Sequence, residues 1–230
     1  MAPISTRKKS KGTPADQHID EIFDLLLEKV REWKEPIVTR IARRRDPFHV
    51  LISTILSLRT KDETTAEASR KLFKLATTPR EMAALSGEQI QNAIFPAGFY
   101  KTKARTIIDI CNRLNQEFGG QVPDDLDQLL GFKGVGRKTA NLVITLGFEK
   151  PGICVDTHVH RITNRWGYVE TKTPDRTEMA LREKLPSRYW LLINDLLVTY
   201  GQNLCKPVSP HCSRCVISEY CLKVGVSRSR

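Results

Sequence analysis

Four cysteines fall within seventeen residues: Cys205, Cys212, Cys215 and Cys221, separated by six, two and five residues. Thiolates this close along a chain converge readily on one centre, and a set of four cysteines serves structural zinc and iron–sulfur clusters alike. Spacing alone does not choose between them. Structural zinc more often uses two Cys-x-x-Cys pairs, and only Cys212 and Cys215 form one here. A metal ligand of this kind must be deprotonated, and Lys206 and Arg214 supply local positive charge that helps. Cys111 and Cys154 lie far away in apolar sequence and read as small core residues.

A second constellation occupies residues 126–147, LDQLLGFKGVGRKTANLVITLG. A short helix meets Gly134-Val135-Gly136, and another helix begins at once. Two glycines so close allow a tight turn and the close approach of backbone to a ligand. Free N–H groups at the start of the second helix suit a phosphate, with Lys133, Arg137 and Lys138 adding charge. A P-loop is excluded, because its wider glycine spacing and upstream strand are missing. Lys138 falls in the first helical turn, whose positive end disfavours a further positive charge and so favours the neutral amine that a nucleophile needs. The plainer alternative is a phosphate-contacting lysine. Eighteen residues on, Asp156 follows the apolar Ile153–Val155 and precedes a helix. It reads as an N-cap, and its fixed charge can also stabilise a developing cation. His158 and His160 do not share a helix face, which argues against a metal site there.

The elements that position these groups are helical. Ile19, Ile22, Phe23, Leu26 and Val30 make one apolar stripe, ended by Pro36. Phe48–Leu58 is almost wholly apolar, as in a helix buried on most sides. Further helices are expected from Asp62, as a cap, to about Ala76, over Gly87–Phe95 and Lys101–Phe118 on either side of Gly98, and from Asp124 or Asp125 to near Gly131. Others follow at about 136–147, 157–167, 174–185 and 187–201. No alternating strand or tandem repeat is evident, so the expected class is all-α.

Lys and Arg number 37 and Asp and Glu 26 in 230 residues, a formal charge of +11 that favours polyanions. No apolar run reaches the roughly 18–20 residues that span a bilayer. No apolar stretch of a secretory signal follows the N-terminus, which argues against disulfides. Residues 1–16, with Arg7, Lys8, Lys9 and Lys11, read as a disordered basic arm.

GVGRKTAN at 134–141, VDTH at 155–158 and the spacing of the four cysteines together resemble the endonuclease III family of helix–hairpin–helix DNA glycosylases. The resemblance spans about residues 20–222. It implies two helical lobes, one of about 37–149 and one combining 17–36 with 150–230, with DNA and the active site in the cleft between them. A 4Fe–4S cluster on Cys205, Cys212, Cys215 and Cys221 is implied rather than zinc. Lys138 matches the family's Schiff-base lysine and Asp156 its catalytic aspartate. Adenine–mismatch relatives lack that lysine, so its presence implies a bifunctional glycosylase and abasic-site lyase for oxidised pyrimidines. Such an enzyme acts as a monomer on duplex DNA that holds a damaged base or an abasic site. It works in the cytoplasm of a prokaryote, or in a nucleus or mitochondrion.

DNA contacts are implied for Lys133, Gly134, Val135, Gly136 and Arg137. One is also implied for Arg59, which stands in SLRTKD where many relatives carry glutamine and where the segment enters the gap left by a flipped base. The hairpin departs from the family's usual Leu-Pro-Gly-Val-Gly, having Phe132-Lys133-Gly134-Val135-Gly136. The loop from Cys205 to Cys212 holds one lysine and no arginine, fewer basic groups than the family pattern implies. A thymine or uracil–guanine mismatch glycosylase of the same superfamily and a non-catalytic DNA-binding module are the alternatives.

Overall fold

A computed structural model of the chain describes residues 12–34, 38–39 and 46–230. The basic run from Arg7 to Lys11, Pro36 and a boundary at residue 37 lie outside the described residues. Among those described there are twelve α-helices and no strand. None of the helices is long and apolar enough to cross a membrane.

One hydrophobic core is built by the middle of the chain. Helix α3 (Pro47–Ser57) starts where the Asp46 carboxylate accepts from the Phe48 and His49 N–H groups. Its residues 48–56 are all buried. Around it pack α4 (Asp62–Leu75), α5 (Pro79–Ala84), α6 (Gly87–Ile94), α7 (Tyr100–Glu117), α8 (Leu126–Leu130) and α9 (Arg137–Leu142). Leu51, Ile55, Leu72, Ile107, Leu129 and Phe132 lie at the centre of this cluster. Helix α9 widens into a π-helical turn over Val143–Gly147. There Gly147 meets the Pro47 backbone so closely that a Cβ would come within 2.9 Å of its Cα.

The second core joins the two ends of the described chain. It contains α1 (Pro14–Gln17) and α2 (Ile19–Val30), then α10 (Thr157–Trp166), α11 (Pro174–Lys184) and α12 (Ile193–Asn203). Phe23 stacks on Tyr189 at 3.9 Å, which ties the N-terminal helix to the returning chain. Gly201 lets α12 lie against α10, since a Cβ there would fall 2.3 Å from His158 Nδ1.

Several expectations need correction. Residues 13–16 of the expected disordered arm are ordered: Thr13 and Asp16 form a capping box, and Ala15 is fully buried. Helix α5 is additional to the expected set, although Thr78-Pro79-x-Glu81 carries a capping-box signal and forms that box. Asp62 is the first helical residue rather than a cap. The helix expected from 187 begins at Ile193, because Ser187–Tyr189 makes a 3₁₀ turn and Trp190 Nε1 donates to the Leu185 carbonyl.

The two cores are joined by a charged clasp. Arg137, at the start of α9, donates through Nε and Nη2 to Glu178 of α11 at 2.9 and 2.7 Å. Arg182 donates to the same carboxylate at 3.0 Å and to Asn141 Oδ1 at 3.1 Å. Glu178 is only 2% exposed, so these arginines are its compensation for leaving water. Burial pushes its carboxyl up, and the two arginines outweigh burial and leave it below the ordinary glutamate value. A carboxylate depressed by folding gives stability that is complete above its unfolded pKa and lost as pH falls through the folded one. Glu178→Gln should therefore flatten the acid limb of stability below about pH 4.5. Glu178→Ala should cost about 3 kcal/mol at neutral pH, because it leaves two arginines unpaired. Urea melts across the acid range test both, and an unchanged acid limb in Glu178→Gln would contradict the clasp.

Candidate active site and cysteine cavity

Asp156 caps α10 with one oxygen and leaves the other for chemistry. Oδ1 accepts from the His158 and Val159 N–H groups at 2.8 and 3.0 Å. Oδ2 lies 3.6 Å from Lys138 Nζ. Asp156 is 7% exposed and Lys138 39%, so a fixed, buried carboxylate faces an amine that solvent reaches. At 3.6 Å the contact is an ion pair without a tight hydrogen bond, and the amine keeps freedom to move. The helix start is the one electrostatic influence on Lys138 legible in sequence. The structure adds this carboxylate, within 3.6 Å of the amine.

The backbone around the pair is pinned from both cores. Cys154 lies 3.6 Å from the Lys138 carbonyl through its sulfur, and its own carbonyl accepts from Asn194 Nδ2 at 3.2 Å. His158 is held neutral: burial lowers its pKa, Arg161 and Lys138 lower it further, and Asp156 opposes them. Its Nδ1 accepts from Arg161 Nη2 at 3.1 Å.

The hairpin places its residues unequally. Gly134 has φ +86° and a Cβ there would come 2.8 Å from Thr106 Cγ2, so the turn itself requires glycine. Gly136 has φ −94° and no atom within 4 Å of a Cβ position. Nothing in the protein demands glycine there, and its bare face leaves α9's first N–H groups open to a close ligand. Lys133 is exposed, while the Val135 side chain is buried and offers only its backbone. Arg137 is engaged by Glu178, so two of its nitrogens serve the clasp rather than a phosphate.

Arg59 sits on an exposed turn between α3 and α4 with φ +52°. Its guanidinium lies 5.5 Å from the ring centre of Phe99, itself 63% exposed with φ +58°. The sequence carries no signal for Phe99 beyond its place after Gly98 at a helix start.

Cys205, Cys212, Cys215 and Cys221 line one cavity, walled otherwise by apolar groups such as Trp166, Leu204, Ile217 and Val226. Donors surround the sulfurs. Arg165 Nη1 points at Cys205 Sγ at 3.4 Å, Tyr200 Oη at Cys215 at 3.2 Å, and the Lys223 N–H at Cys221 at 3.4 Å. Arg165 is 8% exposed, and its remaining bonds go to the carbonyls of Lys206 and Pro207. A buried guanidinium satisfied by carbonyls and sulfur calls for negative charge on that sulfur. Burial pushes Cys221 up to about 11 and raises Cys215, so thiolates here require a bound cation. The residues thus fit a thiolate-held metal group. Arg165 is a basic group at the sulfurs that the sequence does not single out. Cys111 and Cys154 are buried, free thiols elsewhere.

Comparison with known proteins gives matches to both halves of this description. Residues 52–187 match the HhH-GPD superfamily of base excision DNA repair proteins, and residues 205–221 the iron–sulfur binding domain of endonuclease III. Endonuclease III from Thermotoga maritima is 47% identical over 195 residues, covering 84% of this chain and 92% of that protein. Endonuclease III from Escherichia coli is 34% identical over 196 residues, covering 85% and 92%. A solved endonuclease III trapped as a covalent intermediate with DNA superposes with a TM-score of 0.81 at 31% identity, over 90% of this chain and 96% of that one.

The two hairpin glycines should separate on substitution. Gly134→Ala should lose roughly 1–3 kcal/mol of stability through strain and the Thr106 clash. Gly136→Ala should stay within about 0.5 kcal/mol of the parent and still bind duplex DNA more weakly. Urea unfolding and fluorescence anisotropy on one DNA duplex measure both, and equal stability loss in the two variants would contradict the assignment.

Proposed function

We infer the reaction from the family, for the chain belongs to the endonuclease III branch of the HhH-GPD superfamily of base excision DNA repair proteins. It is a DNA glycosylase with abasic-site lyase activity and carries a 4Fe–4S cluster. As substrates we propose oxidised pyrimidines in duplex DNA, together with the abasic sites they leave. The observation that carries the reading is the amine of Lys138 set 3.6 Å from the capping carboxylate of Asp156.

Breaking the base–sugar bond builds positive charge on the deoxyribose, and Asp156 stabilises it from a fixed position. Lys138 passes its proton by way of the nearby carboxylate to the departing base, which leaves Asp156 ionised beside the developing charge, and attacks C1′ as a neutral amine. The base departs with the C1′–nitrogen electron pair; the Lys138 nitrogen then loses a proton and the C1′–O4′ bond breaks, with O4′ leaving as the 4′-hydroxyl, so that the nitrogen–carbon bond becomes an imine. That imine acidifies the C2′ proton. Loss of the proton breaks the C3′–oxygen bond, which cuts the strand by β-elimination, and water then frees Lys138. The target nucleotide must leave the stack first. Arg59 and Phe99 form an exposed tip suited to the space it vacates. Lys133 and the backbone of Gly134, Val135 and Gly136 suit the phosphates. Arg137 contributes chiefly by holding the hairpin to α11.

Cys205, Cys212, Cys215 and Cys221 would hold the cluster, within the donor ring of Arg165, Tyr200 and Lys223. When bound, it cross-links the C-terminal segment and supplies an iron centre whose potential those donors tune.

Single-turnover assays on a thymine glycol duplex test the assignment. Asp156→Asn keeps a capping side chain and should hold its stability, while base release slows by about 10²–10³. Cutting of a preformed abasic site should fall less in that variant, because only the Lys138 proton, and not a departing base, then calls on the carboxylate. Lys138→Gln should lose strand cutting on both substrates. Full base release in Asp156→Asn would reduce Asp156 to a cap and overturn the mechanism.

A further inference from the structure

Lys103, on α7, does not take part in the chemistry above, yet it is a cation almost wholly removed from water. Its side chain runs from α7 to the end of α3, and the residue is 6% exposed. Nζ donates to the carbonyls of Leu56 and Leu58 at 2.6 and 2.7 Å and to Thr60 Oγ1 at 2.8 Å. An ammonium has three donors, and three acceptors receive them. Two of those acceptors are carbonyls at a helix end, where the intrahelical partners have run out. Burial lowers the lysine to about 8, with no carboxylate to offset it.

The knot sits under the exposed tip. Between Leu58 and Thr60, both gripped by Lys103, stands Arg59 with φ +52°. A non-glycine residue held there is strained and persists only where its surroundings impose it. Thr60 Oγ1 also accepts from the Gly98 N–H at 3.1 Å. Gly98 comes so near that a Cβ would lie 2.5 Å from the Arg59 carbonyl oxygen. Phe99, next in the chain, is the second left-handed residue, and its ring faces the Arg59 guanidinium. One buried ammonium thus ties two separate loops and fixes the backbone beneath both tip residues.

We propose that Lys103 is a positioning residue for nucleotide extrusion: it presets the left-handed turn of Arg59 and locks it to the Phe99 loop, so that the tip enters the duplex already formed. The inference rests on the DNA repair reading above. It assigns Lys103 to the step before chemistry, so its removal should spare steps in which extrusion is easy. A damaged but paired base must be unpaired and unstacked, whereas an abasic nucleotide has little to give up.

The test compares single-turnover rates of the intact enzyme and its variants on two duplexes, one with thymine glycol and one with a preformed abasic site. Lys103→Met keeps the length and removes the donors. Thymine glycol release should fall about tenfold to a hundredfold, the loss of a charge-assisted contact, while abasic cutting falls less than about threefold. Lys103→Arg, which keeps charge and donors, should recover most of the difference. If Lys103→Met does not fold, Thr60→Val removes the shared hydroxyl and should lower the same ratio. Equal losses on both duplexes, or no loss on either, would overturn the proposal. A parent enzyme inactive on both duplexes would instead overturn the repair reading itself.

Discussion

The carboxylate of Asp156 is where folding and chemistry meet. Its Oδ1 satisfies two backbone N–H groups at the start of α10, which fixes the side chain without any contribution from substrate. Its Oδ2 is thereby aimed at Lys138, which belongs to a helix of the other core. A charge held in place by the fold needs no reorganisation when a cation develops beside it, and that is the condition under which electrostatic stabilisation is largest. The arrangement works only if the two cores keep their register, because each supplies one member of the pair.

Register comes from polar contacts that would be costly to break. The Glu178 carboxylate is buried between Arg137 and Arg182, and Arg182 reaches on to Asn141. Arg137 and Asn141 flank Lys138 along α9, so the clasp grips the helix that bears this lysine. On the other side, the Cys154 backbone and Asn194 connect the approach to Asp156 with α12. Helix α10 then runs from Asp156 to Arg165, whose guanidinium faces the sulfur of Cys205. A 10-residue helix is about 15 Å long, so one rigid element joins the Asp156 carboxylate to the cysteine cavity.

Sequence carries the site further than it carries the surroundings. The cysteine spacing, the glycine hairpin, Lys138 and the capping position of Asp156 depend on local geometry, and local geometry is written in neighbouring residues. Most helices are legible for the same reason, through period and caps. The clasp is not, since Glu178 lies 41 residues from Arg137 and nothing in TEMALRE distinguishes a buried glutamate from a solvated one. From sequence alone Arg137 therefore reads as a phosphate contact. Lys103 and Phe99 escape a sequence reading because their meaning lies in the loop at Arg59, some forty residues away. The 3₁₀ turn at Ser187–Tyr189 escapes it because Tyr189 packs on Phe23, a tertiary contact that overrides helical pattern.

Borohydride reduction of the enzyme on an abasic duplex, followed by proteolysis and mass spectrometry, tests the central claim most directly. The Lys138 amine stands 3.6 Å from the Asp156 carboxylate, so the reduced adduct should map to Lys138. An adduct on any other lysine, or on the N-terminal amine, would mean that the pairing of Lys138 with Asp156 is structural and that the chemistry runs elsewhere.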